Sequence, residues 1–280
     1  MYNVRYHIAS LVSVFLALAL GLVLGGLIVD KTPTTSQSSL VTGLKQEFET
    51  LRADNDNLQT GMDAYGNYSA AVTKRYMGTM LEGKTIAVLG LNNKATELAH
   101  DDIVATGGKA ELVDLNFEKL DMKNADAAST QLITQLKTSM NATDDKDVVA
   151  QTLALEWDSK AKTRPLTDAL IKDGVLKMND YNKFKGVDGV VNTAIDGDRV
   201  DTWGLALTEA FKAANKPVLC ASIFQGNNIL AERGWKNELS STNMLSTSIG
   251  TYTIAAVMSG ADEGLYGTME GAKAVYPPFK

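Results

Sequence analysis

The stretch from Ile8 to Val29, IASLVSVFLALALGLVLGGLIV, carries no ionisable side chain. A helix rises 1.5 Å per residue, so about 20 apolar residues cross the roughly 30 Å hydrocarbon core of a bilayer. The sequence therefore predicts one transmembrane helix over 8–29. Arg5 and the α-amine precede it and Asp30 beside Lys31 follows it, so the positive-inside bias puts a short tail, 1–7, in the cytoplasm and the rest of the chain outside. A cleaved signal peptide is the rival reading, because Ala17-Leu18-Ala19 has the small-x-small form of a cleavage site. Cleavage there would leave 20–29 as an exposed apolar N-terminus, so anchoring is preferred. Ala9, Ser13, Ala17, Gly21 and Gly25 recur every fourth residue, a small-residue stripe along which a second membrane helix can approach closely.

After a polar linker, 30–40, with Pro33 at its start, a heptad pattern runs through 41–80, read as a stalk. Val41, Phe48, Asn55, Met62 and Ser69 take position a; Leu44, Leu51, Leu58, Tyr65 and Val72 take position d. Glu47 at g faces Arg52 at the following e, and Asn55 at a trades stability for register and two-strandedness. The reading is a parallel homodimer whose interface includes Gly21, Gly25, Leu44, Leu51, Asn55 and Leu58. The alternative is an amphipathic helix packed on its own domain, and Gly61 and Gly66 weaken the C-terminal half by about 1 kcal/mol each.

The remainder, 84–280, reads as a globular α/β domain. TIAVL at 85–89, a helical stretch at 94–105, Gly107-Gly108 and a strand at 110–115 make a βαβ unit. Several helices fill 127–171, a third strand falls at 187–195, and a helix at 200–214 leads to a fourth strand at 217–220. A last helix covers 247–259. Strands alternating with helices imply a Rossmann-like parallel sheet covered on both faces. The fold class is thus α/β, with a transmembrane helix and a parallel coiled-coil stalk ahead of the sheet domain.

Composition and motifs exclude more than they assign. A net charge of −6 leaves no basic surplus for phosphates, which argues against nucleic acid and against an anionic lipid surface for the main body. Cys220 is the only cysteine, so there is no intrachain disulfide and no multi-cysteine metal cage. Gly78 to Thr85 matches the P-loop pattern, but it follows the stalk and opens a strand, so no helix N-terminus would face a phosphate. Gly90 lacks the further glycines of a dinucleotide-binding loop. Asp196-Gly197-Asp198 with Asp201 lacks the bidentate Glu of a calcium loop, Leu207 standing at its twelfth position, so helix capping is the better account. A Cys220–His100 pair is the one arrangement for nucleophilic chemistry, against which Cys220 reads as a buried small hydrophobe. No enzyme signature and no resident cofactor follow. Met77 and Met80, three apart near the stalk end, are candidate thioether ligands for copper(I), with core packing as the plainer reading.

The opening RYHIASLVSVFLALALGLVLGG, the heptad stalk, and the ending STSIGTYTIAAVMSGADEGLYG with a final Tyr276-Pro277 together resemble the actinobacterial copper transporter (MctB-like) family over nearly the whole chain. The resemblance implies a role in copper transport or homeostasis, with copper as cargo. For some members it implies instead a cell-separation scaffold whose cytoplasmic tail meets a thiamin-pyrophosphokinase-like partner. An exported hydrolase is a third reading. The chain departs at Ser241-Thr242-Asn243-Met244, where members carry an Asp-containing segment, so no function is carried over to that segment. One membrane helix offering only Ser10 and Ser13 cannot line a water-filled path, so a single chain is not a channel by itself.

Overall fold

The computed structural model describes residues 4–28, 35–90, 93–116, 127–196, 199–200, 202–226 and 228–278. They fall into two compact units, Met1–Tyr65 and Gly66–Lys280.

The first unit is helical. α1 (Val4–Ile28) has no acidic residue in its first turn and no basic residue in its last. Its large side chains from Ile8 to Leu24 are 52–64% exposed. Among the described residues no helix is long and apolar enough to cross a membrane. The side chains of α1 described without a break are 10–25, short of the about 20 residues a hydrocarbon core takes, and the end of the predicted span lies outside them. α2 (Thr35–Met77) begins inside the stretch read as linker. Thr, Ser and Gln cost a few tenths of a kcal/mol each, little enough for a long helix to propagate through them. Pro33 lies outside the described residues. Along α2, Lys45 and Glu49 pair at 4.0 Å and Gln59 donates to Asp63 at 3.1 Å, both one turn apart.

The second unit holds a seven-stranded sheet of order β3-β2-β1-β4-β7-β8-β9. In chain order its members are β1 (Thr85–Gly90), β2 (Lys109–Leu115), β3 (Leu176–Met178), β4 (Gly189–Asn192), β7 (Val218–Ile223), β8 (Ser241–Leu245) and β9 (Leu265–Tyr266). β3 runs antiparallel to β2 and every other pairing is parallel. A separate ribbon of β5 (Ile195–Asp196) and β6 (Arg199–Val200) follows β4.

Alternation along β1 divides the core. Ile86 and Val88 point to the face covered by α3 (Lys94–Ala105) and by α9 (Ser248–Met258), with Ala99, Ile103, Ile254 and Val257. Ala87 and Leu89 point to the other face, which α4 (Ala127–Met140), α5 (Asp145–Glu156), α6 (Pro165–Lys172), α7 (Thr202–Ala213) and α8 (Ile229–Lys236) cover. Trp157 anchors that side, its ring 5.6 Å from Phe211 and 6.0 Å, edge-on, from Phe184. α6 has no side-chain cap of its own. The buried Glu156 carboxylate, at the end of α5, replaces it by accepting from Leu166 N and Thr167 N at 2.8 Å and from Thr167 Oγ1 at 2.7 Å.

The sequence reading gave the parallel sheet but not its full extent. β3, β8, β9 and α8 are additions to it. The segment Ser241 to Met244, to which the resemblance lent no function, lies in the buried strand β8. Its polar side chains are satisfied internally: Asn243 donates to Thr268 Oγ1 at 3.2 Å and accepts from Thr268 N at 3.1 Å, and Ser241 Oγ donates to Leu239 O at 3.0 Å.

Candidate functional site

In an open parallel sheet, ligands bind outside the carboxyl ends of the strands where successive connections leave on opposite sides. Here that place lies between β1 and β4, where among the described residues two threonine side chains close over Gly90. An added Cβ on Gly90 would sit 2.0 Å from Thr96 Oγ1 and 2.6 Å from Thr193 Oγ1, and these two buried hydroxyls lie 3.0 Å apart. Thr193 donates from both N and Oγ1 to Leu89 O. Asn93 caps α3 by accepting from Thr96 N at 3.0 Å, and Glu97 puts a negative charge in the first turn, so this helix end is not an anion cradle. The buried Asn192 amide donates to Thr208 Oγ1 at 3.1 Å. Residues 91–92 of the predicted loop, and 197, 198 and 201 of the acidic segment, lie outside the described residues.

The P-loop lookalike is committed to packing. Leu81 is fully buried, residues 78–83 form turns before β1, and Lys84 Nζ donates to Met258 O at 2.7 Å, where its charge meets the negative end of α9. Cys220 and His100 cannot meet. Cys220 packs on the α8 face of the sheet, where a Cβ on Gly234 would lie 2.6 Å from its Sγ, whereas His100 rides on α3 across the sheet and pairs with Asp101. Burial, helped by the charge of Glu209, pushes the Cys220 thiol up to about 12, so it carries no thiolate at neutral pH.

Met77 and Met80 come together. Met77 ends α2, Met80 lies in the turn after it, and Met80 N donates to Met77 O at 3.0 Å. Both are half-buried and line one cleft of about 420 Å³ with Tyr76, Tyr252, Ser259 and Pro278. The far wall is α9 and the C-terminal segment. Tyr276 meets Tyr252 edge-on at 6.2 Å, and Tyr252 Oη donates to Pro278 O at 3.3 Å. Ser259 Oγ donates to Met80 O at 3.2 Å, fixing the methionine turn to the end of α9. Among the described residues no three His, Cys, Asp or Glu side chains converge on a metal-sized site, so the thioethers are the soft donors of this cleft. The methionines are visible in the sequence, whereas the wall opposite them is not. Tyr252 lies in the C-terminal stretch that carries the resemblance and Pro278 directly follows Tyr276-Pro277, but their convergence on Met77 and Met80 depends on chain crossings that spacing does not encode.

Asp102, also missed, sits between α3 and α9. Its Oδ1 accepts from Thr251 Oγ1 at 2.7 Å, while its buried Oδ2 has no hydrogen-bond partner among the described residues. Burial outweighs the Thr251 hydroxyl and raises its pKa to about 6, with a small push from Asp101.

The sequence matches the family described as "Copper transport outer membrane protein, MctB" over residues 1–277. The chain belongs to the MctB family. Among curated members, the copper transporter MctB of Mycobacterium bovis and that of Mycobacterium tuberculosis H37Rv are each 33% identical over 109 residues. That match spans 39% of this chain and 33% of either relative. No solved structure matches. The MctB match covers the helical unit and nearly all of the sheet unit, including Met77, Met80 and Tyr252 of the methionine cleft.

Proposed function

We propose that this chain is a non-enzymatic envelope protein, anchored by α1, that handles copper(I) at the cleft of Met77 and Met80. The observation that carries the proposal is the convergence of two thioethers, the donors soft Cu(I) prefers, with the C-terminal motifs that carry the family resemblance. Family membership supports copper as the cargo, since the relatives are named copper transporters. The anchor rests on the uncharged run 8–29 and on the exposure of the described large α1 side chains from Ile8 to Leu24, which in water would form an apolar patch. The positive-inside bias then puts the sheet unit outside the cytoplasm.

The test is competition of the full chain, in detergent, against a Cu(I) chelator. One copper per chain is expected, lost at least tenfold in affinity in Met77→Leu/Met80→Leu, which keeps the side-chain volume. No binding, or binding indifferent to the double substitution, overturns the copper reading. For the anchor, Ser139→Cys should react with a membrane-impermeant thiol reagent on intact cells while the buried Cys220 stays silent; protection until lysis would overturn the orientation.

The filled crevice between β1 and β4 favours a second reading, a scaffold of the cell-envelope or division machinery that works through surfaces and meets a cytoplasmic partner through 1–7. Identical partner sets recovered with and without 1–7 would remove it.

A further inference from the structure

The structure gives the heptad seam on α2 a length and an end. Leu44, Phe48, Leu51, Leu58, Met62 and Tyr65 are 57–79% exposed, one apolar stripe at alternating three and four residue spacing. The stripe stops there. The next residues in the heptad frame, Ser69 and Val72, are half-buried and Thr73 is 6% exposed, so within the second unit they are already occupied.

We infer that α2 joins a second copy of this chain in a parallel, in-register, two-stranded coiled coil limited to residues 41–65. Charge and polarity on the stripe choose this occupant. In the parallel register Glu47 at g meets Arg52 at the following e of the other copy, and Asp54 at g meets Gln59, so no like charges are opposed. Asn55 at a then faces its own counterpart and the two amides hydrogen-bond. In an antiparallel pair a residues face d residues, and each Asn55 would be buried against a leucine at the cost of an unpaired amide. Two chains anchored in one bilayer also present their stalks in the same direction. That agreement rests on the proposed anchor, whereas the Glu47, Arg52 and Asn55 argument does not.

The experiment uses the full chain in detergent, with single cysteines added and Cys220 left in place because it is buried. Leu44→Cys and Leu51→Cys should cross-link to near completion with diamide, while Thr50→Cys at the outward c position and Val72→Cys should stay single. Light scattering should give a protein mass twice the 30.1 kDa of one chain. Asn55→Val should add higher-order species, because the residue that enforces two strands is gone. A single-chain or three-chain mass, cross-linking of Thr50→Cys as readily as Leu51→Cys, or efficient cross-linking through Val72→Cys would each overturn the inference. None of these readouts involves copper, so failure here and failure of the copper reading are separable.

Discussion

Asp102 binds a proton more tightly in the folded chain, near pH 6, than an unfolded aspartate does near 3.8. Its contribution to stability is therefore full below about pH 3.8 and is lost as pH rises through about 6, where ionisation strands a charged oxygen without a partner. The difference is on the order of 3 kcal/mol at most. Asp102→Asn should raise the unfolding midpoint at pH 7.5 and leave it unchanged at pH 4, measured by denaturant melts across that range; equal effects at both pH values would show that burial is not the cause. Glu156 acts in the opposite sense, since its carboxylate serves three donors. Glu156→Ala should cost about 2–4 kcal/mol, by leaving Leu166 N, Thr167 N and Thr167 Oγ1 buried without an acceptor, seen as a lower urea midpoint at constant slope.

At the scale of elements, α8 lies so close to the sheet that a Cβ on Gly234 would be 2.6 Å from Cys220 Sγ and 2.7 Å from Ser241 Oγ. Gly234→Ala should destabilise the sheet unit by about 1–3 kcal/mol, because β7 and β8 must yield; a Gly234→Ala, Cys220→Ala double variant should regain part of the loss in the same melts. The same closeness explains what the sequence hid. β1 and β7 were legible as apolar runs and α9 as the last helical stretch, which Thr247 caps with a hydroxyl that accepts from Gly250 N at 3.1 Å. β8 was not, because Ser241, Thr242 and Asn243 look solvated until the hydrogen bonds that bury them are seen. β3 and β9 are three and two residues long, too short for any period to register. The methionine cleft was half legible: two thioethers at a three-residue spacing are visible in a string of letters, whereas Tyr252 and Pro278 become neighbours only through the fold.

For the whole molecule, the two units answer to different variables. Unfolding of the sheet unit is unimolecular, whereas separation of the stalk dimer inferred above is bimolecular, so that inference requires its midpoint to move with protein concentration. Helical circular dichroism and tryptophan fluorescence, whose sources Trp157, Trp203 and Trp235 all lie in the sheet unit, should therefore give two transitions on heating. A tenfold dilution should lower the helical one and leave the tryptophan one in place; superimposable curves at every concentration would contradict independent units.

Thr96 and Thr193 meet where many sheets of this topology leave a doorway, and here the doorway is bricked up from inside. The two hydroxyls brace the carboxyl ends of β1 and β4 against α3, so any side chain placed at Gly90 must first push both of them aside.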